Sequence, residues 1–244
     1  MVEELKDGNV DIGHEHRDVT GGWLRPAVFG AMDGLLSNSS LIAGIAGGVA
    51  ATGATDANKT LVLAGIAGLV GGAISMGAGE YVSVATQSEA ALAEIESERR
   101  ELELNPEGEL HELAALWESR GLEPALALQV ATQLSSDPEK ALEVHVREEL
   151  GISPDALPNP WVAAISSFVF FSVGALVPLL PYLFGALSVV PAMSATAISL
   201  FLAGVVASKV TSRSWWYNGS RQLVVGAFAG LVTYLLGHLV GHSL

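Results

Sequence analysis

Asp33 and Glu80 are carboxylates set inside otherwise apolar runs. An acid at the centre of a membrane-spanning helix costs about 2.5–3.5 kcal/mol on insertion scales, so it ordinarily faces a bundle interior or a water cavity and marks an ion or proton path. The competing reading, an acid near a helix end reaching the interface, suits Glu80 better than Asp33. Met76 lies one turn before Glu80 on the same helical face. A thioether beside carboxylates suits a transition metal better than Ca²⁺ or Mg²⁺, although by itself it reads as packing. Asp33 and Glu80, with Met76 beside Glu80, are the candidate residues of an ion or proton translocation path. A second group lies between residues 87 and 157. Glu98 and Glu101 are three apart, as are Glu109 and Glu112, and His145 precedes Glu149 by four. Each pair shares a helical face, and the Asn105-Pro106 turn allows the two glutamate pairs to converge. Like charges at these spacings disfavour a helix, so this density calls for a counter-cation or full solvation. Glu98, Glu101, Glu109, Glu112, His145 and Glu149 are the candidate metal ligands; spacing alone does not choose between a metal site and a solvated acidic face.

These residues need elements to hold them. Five apolar blocks are long enough to span a bilayer, which takes about 20 residues: Pro26 to Ala51, Leu61 to Ala85, Trp161 to Phe184, Pro191 to Val206 and Leu223 to Val240. Between Gln87 and Leu157 the pattern becomes charged, with Leu and Ala at helical spacing and breaks at Asn105-Pro106, Gly121, Asp137-Pro138 and Gly151. Three or four short amphipathic helices are expected there. No breaker separates the second span from Glu89–Leu104, which predicts one long helix leaving the membrane. The expected fold is an all-α membrane protein: a polar tail (1–22), transmembrane helices 1–2 (23–86), an inserted cytoplasmic acidic helical domain (87–157), metal-binding if its glutamate pairs hold a cation, and transmembrane helices 3–5 (158–244). Gly44 to Gly48, Gly68 to Gly72 and Gly226 to Gly230 have the Gly-x-x-x-Gly spacing that lets helices approach closely in lipid.

Composition agrees. Half of the 244 residues are hydrophobic, and the net charge of −14 is local, since 17 of the 26 acids fall between Glu89 and Asp155. There is no cysteine, which excludes disulfides and thiolate metal sites. The acidic N-terminus has no apolar signal region, so the first span is expected to direct insertion. An N-terminus inside places eleven of the twelve basic residues in the cytoplasm, with Lys59 alone outside. Trp215, Trp216 and Tyr217 suit an interfacial belt at that cytoplasmic surface. The Ala- and Gly-rich spans suit a bacterial inner (plasma) membrane. No nucleophile elbow and no His-Glu-x-x-His run occurs, His238 and His242 lie at the far C-terminal end, and His14 and His16 flank Glu15 in the tail. An enzyme is not expected, nor a nucleic-acid partner, nor a cofactor.

Met32-Asp33-Gly34-Leu35, the run Ala73 to Tyr81 (AISMGAGEY) and the Glu-x-x-Glu pairs after it resemble the vacuolar iron transporter family, over essentially the whole chain after Gly22. The resemblance implies a homodimer of five-helix protomers, an Fe²⁺ path between the first two helices, exchange against protons, and a cytoplasmic helical domain that collects metal. Asp33 and Met76 match the path aspartate and methionine, and Glu98, Glu101, Glu109, Glu112 and Glu149 match the glutamates of the metal-binding domain. The chain is closer to the bacterial and nodulin-like branch than to the plant vacuolar branch. The latter has an acid where this chain has Gly68, lacks the acid found here at Glu80, and has a methionine pair where His145 and Val146 stand. The expected function is transport of Fe²⁺, Mn²⁺ or both out of the cytoplasm by proton antiport; the alternative is a membrane-anchored metal buffer or sensor that transports nothing.

Overall fold

The computed structural model describes residues 22–53, 57–208 and 213–243. The N-terminal tail before Gly22, with His14, Glu15 and His16, lies outside the described residues, as does Lys209. Five helices are long and apolar enough to cross a membrane. They are α1 (Leu24–Thr52), α2 (Ala57–Leu104), α6 (Pro160–Leu183), α7 (Val190–Ser208) and α8 (Trp215–Ser243). Between α2 and α6 lie α3 (Pro106–Ser119), α4 (Pro124–Leu134), α5 (Pro138–Glu148) and a 3₁₀ turn at Pro154–Ala156. No strand occurs among the described residues.

Proline opens each helix from α3 to α6, occupying the position where a missing N–H costs nothing. The residue before it supplies the cap in three cases. Asn105 accepts from the N–H of Gly108, Asp137 from that of Glu139, and Asn159 from that of Trp161. α2 has no such punctuation and runs unbroken for 48 residues, about 72 Å at 1.5 Å per residue. That is more than twice a bilayer's hydrocarbon thickness of about 30 Å, so α2 carries its second half well past the apolar span, as its lack of a breaker predicts.

α1 is the centre of the bundle, packed along α6 and α8, while α2 packs on α6 and α7 on α8. Its approach to α6 is a backbone crossing. A Cβ on Gly34 would collide with the carbonyl of Phe171, and one on Gly174 with that of Ala31. Of the three glycine spacings singled out above, Gly44 and Gly48 do meet a neighbouring backbone, at α8. Gly68 and Gly72 instead face the side chains of Asn38, Leu41 and Phe171, and Gly230 has nothing within 4 Å. The crossing of Gly30 and Gly34 against α6 was not among them; the closest approach is on the α8 side, where a Cβ on Gly237 would overlap the carbonyl of Gly44. α8 also begins eight residues before the expected Leu223, at Trp215. Buried Asn218 and Gly219 pack there on Gly204 and Phe201 of α7, and the rings of Trp215 and Trp216 sit 6.2 and 5.6 Å from that of Phe201. Packing against α7 thus winds this polar stretch into helix.

Gly174→Leu should destabilise the protein by about 3 kcal/mol or more, because backbone cannot yield as a side chain does. Gly230→Ala should leave stability within about 0.5 kcal/mol. Thermal unfolding in detergent checks both.

Candidate functional site

The helical insert has a small core of its own, Leu113, Ala114 and Ala131, bordered by Leu110, Trp117, Leu134 and Val144. Glu109 stands one turn before Leu113 on α3 and is drawn inward with it. His145 belongs to the buried stripe of α5 with Ala141, Leu142 and Val146. Glu98 comes from the projecting half of α2, and Glu149 caps the end of α5, its N–H bonded to the carbonyl of His145. The four side chains converge. His145 Nδ1 lies 2.9 Å from Glu149 Oε1, 3.1 Å from Glu98 Oε1 and 3.8 Å from Glu109 Oε2. His145 is fully buried, and Glu98 and Glu109 are 6% and 7% exposed.

One ring nitrogen carries at most one proton and cannot serve three carboxylates. The hydrogen-bond directions are poor as well: Glu98 Oε1, Glu149 Oε1 and both ring nitrogens of His145 are buried with no hydrogen-bond partner. The insert's arginines are engaged elsewhere, Arg99 with Glu139, Arg100 with Glu96, Arg120 with Glu148 and Arg147 with Glu143. Ligand atoms of Glu98, Glu109 and His145 all lie within 4.8 Å of one another. Hard carboxylate oxygens with one borderline imidazole suit a divalent first-row metal such as Mn²⁺ or Fe²⁺. Glu101 and Glu112, the other members of the two glutamate pairs, are exposed and lie outside this buried set. Their charge still acts on it. Burial, then Glu149, Glu109, Glu101 and Glu112 in that order, push the Glu98 carboxyl up to about 7. Burial likewise raises Glu109 and Glu149, with His145 opposing in both.

The second constellation lies between the spanning parts of α1 and α2. Asp33, Met76 and Glu80 line one cavity of about 430 Å³, together with Ser37, Asn38 and Gly68. Ser37 Oγ donates to Asp33 Oδ1 at 2.7 Å and fixes that carboxylate. Glu80 also lines a neighbouring cavity of about 320 Å³ toward the insert, bounded by Arg25, Val84, Gln87, Ala91 and Asn159. Glu80, Val84, Gln87 and Ala91 follow one another at helical spacing along one face of α2. Sequence reasoning missed Ser37, Asn38 and Arg25. The signal for the first two was present, as polar residues one turn and five residues beyond Asp33 in an apolar run; for Arg25 there was none.

Residues 24–238 match the VIT family. The chain is 36% identical over 234 residues to a protein from Acanthamoeba castellanii named vacuolar iron transporter, covering 93% of this chain and 83% of that one. It is 29% identical over 248 residues to vacuolar iron transporter 1 of Arabidopsis thaliana, covering 99% and 95% of the two chains. It is also similar to VIT-like transporter 1b of Glycine max, 34% identical over 227 residues and covering 91% and 77%.

A carboxyl raised in the folded state stabilises the fold below its unfolded value, and that contribution is lost as pH rises through the folded value. For Glu98 the window runs from about 4.5 to about 7. Without metal, stability should therefore fall across that window by on the order of 2–3 kcal/mol. Glu98→Gln should flatten the slope, as thermal unfolding at pH 5 and pH 8 would reveal.

Proposed function

The chain belongs to the VIT family, and on that premise we propose that it carries Fe²⁺, Mn²⁺ or both out of the cytoplasm in exchange for protons. The observation that carries transport, as against storage, is the cavity inside the apolar spans into which Asp33, Met76 and Glu80 all open. A membrane anchor gains nothing from a costly acid placed there. The insert, taken as cytoplasmic on the distribution of basic residues, collects the ion at Glu98, Glu109, His145 and Glu149. Exposed Glu101 and Glu112 add negative charge that draws cations toward the site.

Glu98 and Glu80 are 18 residues apart on one helix, which is five turns, about 27 Å and the same face. No direct handover is feasible over that distance. The ion leaves the buried cluster when a proton takes its place, since a carboxylate binds one or the other. It then follows the face of α2 through the smaller cavity to Glu80, which belongs to both cavities. Met76 and Asp33 receive it next. Protonation of Asp33 from the far side releases the metal there, and the returning proton leaves toward the cytoplasm when the next ion displaces it. Antiport results when only the metal-loaded and proton-loaded states reorient. The cavity is partly open at its side, and in this proposal a second copy of the chain, in a homodimer, completes its wall.

Uptake of Mn²⁺ and Fe²⁺ into sealed proteoliposomes tests this reading. Asp33→Ala should lower uptake of both at least about tenfold while leaving metal binding to the insert intact. Glu98→Ala should raise the half-saturating concentration about tenfold with a smaller effect on the maximal rate. Full uptake by Asp33→Ala would remove the cavity from the path. No uptake by folded wild-type protein that still binds metal would favour the buffer or sensor.

A further inference from the structure

Asn38 is the one path-lining residue whose polar atom is both buried and unused. It is 2% exposed, yet lines the same cavity as Asp33 and Met76. Its Nδ2 donates to the carbonyl of Ala175 on α6 at 2.6 Å. That contact sets the orientation of the amide, because a carbonyl only accepts, so the nitrogen must face α6 and the oxygen must point away from it. The oxygen, Oδ1, is fully buried and has no hydrogen-bond partner. Opposite it on α2 is Gly68. A Cβ there would lie 2.9 Å from Oδ1 and 2.6 Å from Leu41 Cδ2, so α2 packs closely on the amide at this point and any residue but glycine would press on the oxygen. Orphaned buried acceptors are uncommon and costly.

The geometry points to Asn38 Oδ1 as a further metal ligand in the path, the next site after Asp33. Asn38 lies five residues beyond Asp33 on α1, about 7.5 Å deeper, and Gly68 lies eight residues before Met76 on α2, about 12 Å deeper on the antiparallel helix. Glu80, then Met76, then Asp33, then Asn38 opposite Gly68 therefore form an ordered series leading away from the insert. A carboxamide oxygen is a hard ligand that suits Mn²⁺ or Fe²⁺ but carries no charge and takes up no proton. It holds the ion more weakly than a carboxylate. Conduction needs such a step, because an ion must be bound well enough to advance and weakly enough to leave. Asp33 is thus the charged site and Asn38 the neutral, weaker one beyond it.

This assignment rests on the transport reading, and the test separates the two. Mn²⁺ and Cd²⁺ uptake is measured in proteoliposomes for wild type, Asn38→Leu, Asn38→Cys and Gly68→Ala; the chain has no other cysteine. Asn38→Leu should lower Mn²⁺ uptake about tenfold with Mn²⁺ binding to the insert unchanged. Asn38→Cys should raise the ratio of Cd²⁺ to Mn²⁺ uptake at least about fivefold, since a thiolate prefers the softer ion. Gly68→Ala, which retains the amide and presses on its oxygen, should slow both ions. Should Asn38→Leu fail to fold, the other two variants decide. Wild-type uptake with an unchanged ion ratio in Asn38→Cys assigns Asn38 a purely structural role between α1 and α6 and overturns the inference alone. Absence of uptake by wild type overturns the transport reading and this inference with it.

Discussion

The unbroken helix α2 is the constraint on which the rest depends. It supplies Met76 and Glu80 to the membrane cavity and Glu98 to the buried cluster, and it holds them at a fixed distance and rotation. A proline or a capped turn anywhere between residues 80 and 98 would free the insert to swing and would lose the common face that Glu80 and Glu98 share. Each end of the rod is anchored separately. In the spans, α2 packs on α6; outside, α5 and α3 close over Glu98. Ser88 Oγ, donating to the carbonyl of Pro158, ties the middle of α2 to the chain that leads into α6.

The two constellations handle the cost of buried acid differently. In the insert, Glu98 and Glu109 are less than a tenth exposed and have no arginine or lysine among the described residues paired with them, so their mutual repulsion is relieved by a proton or by a cation. That is the condition for a site whose metal affinity falls as pH falls. In the spans the acids are spread along the cavities, with Ser37 on Asp33 and Glu80 shared between two of them. One arrangement suits capture and the other suits passage.

Much of this was legible in the chain. Apolar run length located all five spans, the Asn105-Pro106 and Asp137-Pro138 steps located the starts of α3 and α5, and the absence of any breaker after Ala85 foretold the length of α2. The pairs at three- and four-residue spacing named every side chain of the cluster. What spacing could not do was rank them. Glu98 and Glu101 look alike in sequence, as do Glu109 and Glu112, and only the packing of α3 and α5 against α2 buries one of each pair. The start of α8 was hidden because Asn218 and Gly219 are polar or small, and they become helical by fitting Phe201 and Gly204. The α1–α6 crossing was obscured because its glycines answer one another from residues 34 and 174.

The central claim is that metal and proton cross the same cavity in opposite directions. The most direct measurement imposes an Mn²⁺ gradient, with no pH gradient, across sealed proteoliposomes carrying the wild-type protein, and follows lumenal metal and lumenal pH together. The account predicts that Mn²⁺ enters while the lumen becomes alkaline, with both changes starting together. Entry of Mn²⁺ at constant lumenal pH, in vesicles shown to be proton-tight, would contradict it.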